Sequence, residues 1–345
     1  RGRLVAKKLS QLKLLDQPWG PALSQFMSQV SVRDRTEEYK EDNRRRFEEA
    51  TAQVRILFGK ITRREVASSA LIRAVVGSFM DTFMKDRNLL LNLAAHSGSN
   101  RDYLYDHSLK LCLISLSIAS ASGYSRAQAV DIAQGALLAD IGMLLIPEAI
   151  RLKRGKLTQG EILEMQKHPL LGLTLLEPIH NLSEAILLIP WQHHERLSGT
   201  GYPEKRAGAA VSRYSRIVGI ADIFTALINK RSWREAQVPY DAMVAILGMG
   251  GQGLLDGEHI RGFLRTLSIF PLGSLVRLST GSVAKVVAPN PVEFTKPLVS
   301  VLTAPGGTSL PREKIHQVDL ARDTGTTIVE ALPEKAISHS ILDGF

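Results

Sequence analysis

Cysteine is almost missing from the 345-residue chain. The one present, Cys112, lies in an apolar stretch. A lone cysteine rules out an intrachain disulfide, and a reducing cytoplasm is the expected setting. No apolar run stands out as long enough to cross a bilayer, and no signal-peptide pattern opens the chain. Aromatic residues make up only 6% of the chain, and its basic residues are scattered among acids without a recognition motif. A duplex nucleic acid is therefore not the expected partner, although the net charge of +9 favours smaller anions such as nucleotides. Internal repeats and low-complexity segments are also missing. The chain opens on Arg1 and not on methionine, so a trimmed piece of a longer protein is expected. Its length exceeds one average domain, and two or three are expected.

What is present is mostly helical patterning. Residues 1–31 mix basic and apolar residues around Gln17-Pro18-Trp19-Gly20 and read as a leader or the tail of an upstream domain. Residues 32–100 form an N-terminal helical region whose charged run, Arg33 to Glu49, reads as a solvated helix face. Residues 101–269 read as a succession of amphipathic helices. Ser125 with Gln128, and Thr158 with Glu161, have capping-box spacing and predict helix starts near 126 and 159. Pro169 is expected to end one helix and begin the next, and the glycines from Gly248 to Gly253 to break the regular pattern before a last helix that ends at Leu267. Residues 270–345 change to short alternating runs, Leu275 to Leu278, Val283 to Val287 and Leu298 to Leu302, which predict a small β module. The fold class is thus mainly α with a C-terminal β module.

Within the helical region, His107, Asp140, His168, the pair His193-His194, and Asp222 recur 25 to 33 residues apart. That interval is about one helix and one connection, so each helix is expected to contribute one or two of these groups. Their neighbours are apolar, among them Leu104, Leu111, Leu137, Leu138, Ile217 and Ile220. Carboxylates and imidazoles buried without partners cost several kcal/mol, so the set is expected to satisfy itself or a cation. Imidazole with carboxylate suits Fe, Mn, Zn or Ni better than Ca or Mg. One histidine alone would read as a hydrogen-bonded core or capping residue. Six such groups on successive helices read as a metal site.

The motifs that carry these residues resemble the HD-GYP family, a subgroup of the HD-domain metal-dependent phosphohydrolases. They are Tyr105-Asp106-His107-Ser108, Leu137-Leu138-Ala139-Asp140-Ile141-Gly142, Ile146-Pro147, Gly155-Lys156-Leu157-Thr158, Lys167-His168-Pro169, His193-His194-Glu195-Arg196, Gly199-Thr200-Gly201-Tyr202-Pro203, Arg216-Ile217 and Ala221-Asp222-Ile223-Phe224. The resemblance implies an HD-superfamily helical bundle in the bacterial cytoplasm. It also implies one or two transition-metal ions, Fe or Mn first and Zn or Ni as alternatives, and hydrolysis of cyclic di-GMP or a related cyclic dinucleotide. It makes His107, Asp140, His168, His193, His194 and Asp222 metal ligands, with Asp140 the bridging, catalytic carboxylate. Tyr202, Arg231 and Arg234 become substrate-binding residues. A diguanylate cyclase domain is the protein partner it implies, and a homodimer is compatible with it.

Four departures limit that implication. The histidine of the His-Asp pair is Ala139, and the lysine expected three residues after the aspartate is Met143. The acidic residue opening the signature loop is Ser198, and Tyr103 stands where members with three metals carry glutamate. By analogy one half of the centre, with His107, Asp140 and Asp222, is short by one nitrogen. The other half, with Asp140, His168, His193 and His194, is complete. Ala139 could also be an engineered change, but Met143 and Ser198 speak for natural degeneration. Slow hydrolysis of cyclic di-GMP, binding without turnover, and an inactive protein-interaction scaffold all stay open at this point.

Overall fold

The computed structural model describes residues 37–66, 68–83, 103–229, 239–267, 273–288 and 295–332, with 237, 270, 290 and 293. The chain divides into two compact units, residues 1–49 with 345, and residues 50–344. The first helix, α1 (Glu37–Thr62), runs through both. In the first unit it carries ion pairs one turn apart, such as Arg44 with Glu41 at 2.6 Å and Arg45 with Asp42 at 2.6 Å. These lie in solvent, as the solvated face predicts, and add little to stability.

In the second unit the remainder of α1 turns Val54, Leu57, Phe58 and Ile61 inward. These residues follow the period of one helix face. Phe58 meets Tyr105 edge to face at 5.8 Å, which ties α1 to α3 (Tyr103–Ala121). Between them comes α2 (Ser69–Phe83), which packs on α3 and α4 (Arg126–Leu138). Helix α3 is the hub: its residues are buried almost all round, because α4, α9 (Arg213–Ile228) and α11 (Gly257–Leu267) surround it. Each fully buried leucine or isoleucine there contributes roughly 2 kcal/mol. Cys112 is among the buried residues, and burial pushes its thiol up to about 12.

The predicted helix starts hold. Ser125 and Thr158 each complete a reciprocal capping box, opening α4 and α6 (Gln159–Met165). Pro169 sits in the first turn of α7 (His168–Leu176), where its missing N–H costs nothing. A short α5 (Glu148–Arg151) precedes α6, and α8 (Glu184–Gln192) precedes α9. The expected break at Gly248 is overturned. Helix α10 (Pro239–Gly251) continues through Gly248, Gly250 and Gly251, and the chain turns at Gly253 with φ +71°. Gly250 is fixed by packing, since a Cβ there would lie 2.5 Å from Ile260.

The stretch Arg126–Leu145 corrects another expectation, because its 20 residues with mean hydropathy 1.3 do reach the length and apolarity of a membrane span. It is 67% buried inside the protein, and it does not continue as one helix. Helix α4 ends at Leu138, and a 3-10 turn, Ile141–Leu145, follows Asp140.

The C-terminal module is a five-stranded antiparallel sheet in the order β4-β3-β2-β1-β5. Its strands are β1 (Leu275–Leu278), β2 (Val283–Ala288), β3 (Leu298–Val301), β4 (His316–Asp319) and β5 (Ile328–Leu332). The first three match the predicted runs. The last two are the edge strands, and all but one of their residues are exposed or half-buried, so their sequences lack the apolar alternation that marks a strand with one buried face.

Candidate metal centre

Five elements deliver the predicted ligands to one place. His107 sits on α3 and Asp222 midway along α9. The other four lie at helix ends and not on helix faces. Asp140 opens the 3-10 turn after α4, His168 begins α7, and His193 caps α8 with His194 just beyond it. Helix ends bring short, differently directed backbone segments together, so several helices converge on one point without crossing there.

Asp140 is the hub. One of its oxygens lies 3.0 Å from His107 Nε2, and the other lies 3.2 Å from His168 Nε2 and 3.7 Å from His193 Nε2. Asp222 reaches His107 Nε2 at 3.2 Å and His194 Nδ1 at 3.4 Å. Two groups of donors result, each with its atoms within 4.8 Å: Asp140, His168, His193 and His194, and separately His107, Asp140 and Asp222. Ala139 is wholly buried beside them and offers no donor.

The histidine tautomers show what the donors can hold. His168 Nδ1 donates to the Met165 carbonyl at 2.8 Å, and His193 Nδ1 donates to the Pro190 carbonyl at 3.0 Å. When neutral, each therefore points an Nε2 lone pair inward. Those two nitrogens are 3.5 Å apart, and His194 Nε2 is 3.2 Å from that of His168. Lone pairs that face one another in a buried pocket repel unless a cation joins them, so this donor set fits a transition metal. The other half is held more loosely. His107 Nδ1 has no hydrogen-bond partner among the described residues.

Electrostatics support a ligand set of anionic carboxylates. Burial acts to raise Asp140, but hydrogen bonds from His107, His168 and His193 hold it well below the usual carboxylate range. Burial likewise opposes charge on Asp222, and His107 and His194 outweigh it, leaving the carboxyl depressed. Burial, then the neighbouring His193, keep His194 well below the usual imidazole value. For His107 burial again disfavours charge, but Tyr103, Asp140 and Asp222 together raise it well above that value.

Tyr202 stacks on His194 with ring centroids 4.5 Å apart, which places the signature loop against the centre. Met143 lies in the 3-10 turn and its N–H donates to the Asp140 carbonyl at 2.9 Å. Ser198 is exposed and bonds Thr200 at 2.8 Å. Arg231 and Arg234 lie outside the described residues.

Sequence reading missed the residues that hold this frame. The buried Glu195 accepts from the N–H groups of Glu204 at 2.8 Å and Arg206 at 3.0 Å, and so pins both sides of the loop carrying Tyr202. Buried Lys110, one turn from His107, contacts Asp106 at 3.1 Å and Asn229 at 2.9 Å, joining α3 to the end of α9. A carboxylate directly after two ligand histidines was the available signal for Glu195. Lys110 had a weaker one, a charged residue in an apolar helix four positions from Asp106.

Comparison with known proteins places these features. Residues 89–259 match the HD domain family, and residues 275–340 match the KOW domain associated with HD domain. A cyclic di-GMP phosphodiesterase of Pseudomonas aeruginosa is 28% identical over 85% of this chain and 70% of its own length. The cyclic di-GMP phosphodiesterase response regulator RpfG of Xanthomonas campestris is 37% identical over 43% of this chain. The chain spans only 39% of that relative's length. Among solved structures, an HDG"Y"P protein from Bdellovibrio bacteriovorus shares the fold with a TM-score of 0.51. It is 17% identical, and the match covers 62% of this chain and 68% of that one.

Proposed function

Because the chain is an HD domain protein related to the HD-GYP cyclic di-GMP phosphodiesterases, we propose that it binds cyclic di-GMP, or a related cyclic dinucleotide, at its histidine and aspartate centre and hydrolyses it slowly. The observation that carries the reading is the asymmetry of the donor set. Four donors, two of them imidazoles anchored to backbone carbonyls, form one half, while three donors beside the buried Ala139 form the other. Asp140, His168, His193 and His194 would hold the tighter ion, and His107, Asp140 and Asp222 a weaker one. Bound metal supplies charge stabilisation and water activation in phosphodiester hydrolysis. Fe or Mn fits this donor chemistry best, with Zn or Ni as alternatives.

The chain's own residues do the rest. Tyr202, stacked on His194, presents an aromatic edge to an incoming base, and Arg231 and Arg234 are assigned to the phosphates because a guanidinium fits two phosphate oxygens at once. Met143 brings no charge to its place in the 3-10 turn after Asp140, so one phosphate loses a cation. With Ala139 this accounts for slow turnover, since one electrostatic group at such a site is worth about 10²–10³ in rate.

The test is incubation of metal-loaded protein with cyclic di-GMP and chromatography of the products. Linear dinucleotide above a metal-free control supports the proposal, and none after many hours rejects hydrolysis. In that case calorimetry with the nucleotide separates a binding protein from an inactive scaffold, the second reading. Bacterial cytoplasm as the location, a diguanylate cyclase domain as partner and a homodimer remain proposals of the same reading.

A further inference from the structure

Lys110 is an unexpected residue for the middle of α3. Its side chain is 0% exposed, in a helix buried almost all round. An apolar side chain of similar length would fill the same space, and buried ion pairs often add nothing to stability over such a replacement. The charge therefore points to a task other than packing. Its ammonium lies 3.1 Å from Asp106, one turn back on α3, and donates to the side-chain oxygen of Asn229 at 2.9 Å. Asn229 is itself buried and caps the C-terminal end of α9. The two helices joined in this way are those that carry His107 and Asp222, whose side chains meet at 3.2 Å. Along α3 the two contacts are three residues apart, and along α9 seven, or about 5 and 10 Å at the helical rise per residue. A single contact lets one helix pivot or slide on the other. Two spaced contacts fix both motions.

We propose that Lys110 is a positioning residue for the weaker half of the centre: by bridging Asp106 and Asn229 it keeps α9 in register with α3, so that His107 and Asp222 face the same ion. The proposal rests on the metal-centre reading above. The ion pair with Asp106 fixes where the ammonium sits on α3, and a charged donor makes the bond to Asn229 one of the stronger kind. The two halves differ in how much they need such a tether. In the tighter half, His168 and His193 are each aimed by a bond to a nearby backbone carbonyl. His107 Nδ1 has no such partner among the described residues, so its place opposite Asp222 depends on how the two helices pack. With Ala139 supplying no further donor, a drift between His107 and Asp222 leaves nothing to hold the geometry.

The experiment titrates the full chain, stripped of metal, with manganese(II) by calorimetry, and the binding step lost in His107→Ala identifies the weaker half. Replacing Lys110 would strand the Asp106 carboxylate, and removing one partner of a buried pair is strongly destabilising. The tether is therefore cut at its neutral end. Asn229→Leu, close to the same volume, is expected to weaken the His107 step about 10–100-fold, the usual worth of a group that orients a ligand from behind, and to leave the other step unchanged. A general loosening of the fold would instead weaken both steps alike, because Asp140 serves both halves. If Asn229→Leu fails to fold, Asn229→Ser, which draws the acceptor back from Lys110 but keeps a polar group at the helix end, carries the same expectation. Both steps unchanged in the variant, or both weakened alike, overturn the role of Lys110 alone. So does a native chain with one step that survives His107→Ala, since the weaker half then holds no ion. A native chain that binds no manganese overturns the metal centre as well.

Discussion

At the scale of single residues, Asp140 differs from the other clustered donors because it belongs to both donor groups. Asp140→Asn is therefore expected to lower metal content at both half-sites, whereas His107→Ala should spare the half built on His168 and His193. Elemental analysis of the two variants beside the native chain checks this, and equal loss in both would contradict it. The clustering of these donors was legible in the sequence, because histidines and aspartates set among apolar neighbours are costly to bury without partners or a shared cation. Glu195 and Lys110 were less legible. Their importance comes from partners far along the chain, the loop amides of Glu204 and Arg206 and the side chain of Asn229, which no local pattern reveals.

At the scale of elements, three glycines let backbone segments touch around the centre. A Cβ on Gly142 would lie 2.0 Å from the His168 carbonyl, one on Gly219 would lie 2.8 Å from the His193 carbonyl, and one on Gly201 would lie 2.5 Å from the His194 carbonyl. Gly142→Ala must push the Asp140 turn away from α7. It is expected to cost about 1–3 kcal/mol, as overpacking does, and to reduce metal affinity; thermal melts with metal titration measure both. The capping boxes and the first three strands were legible because each rests on local chemistry. The continuation of α10 through its glycines and the two outer strands were not, because Ile260 packing and sheet pairing decide them.

A second element-scale prediction concerns α11, whose buried His259 bonds Tyr124 at 3.0 Å and lies 3.6 Å from Asp256. Burial lowers its basicity, against the pull of Asp256 and Glu258 and with the help of Arg213 and Arg216. The unfolded chain takes up this proton near the ordinary histidine value of about 6.5, before the folded chain does. Stability is thus full above that pH and falls as pH drops below it, until the folded group also protonates. In metal-saturated protein His259→Gln should melt lower at neutral pH yet lose less on acidification than the native chain. Parallel pH profiles would refute this.

At the scale of the whole molecule, an HD domain is followed in the chain by a KOW domain, and among the described residues the helices of the first bury the histidine and aspartate cluster. The likeness to HD-GYP phosphodiesterases was readable from motifs spread along the helical region, since they carry ligands and tight turns together. Whether Ala139 and Met143 slow the reaction was not readable, because a rate depends on charge and geometry around the reacting phosphate that motif comparison does not weigh. In the proposed reading, Ala139 and Met143 limit an otherwise complete fold and donor cluster. The most direct test compares cyclic di-GMP turnover by the metal-loaded native chain with that of the Ala139→His, Met143→Lys double variant. The account predicts at least about a 10²-fold gain in kcat/KM for the variant, the value of one restored electrostatic group. A native chain that already matches the variant would contradict it.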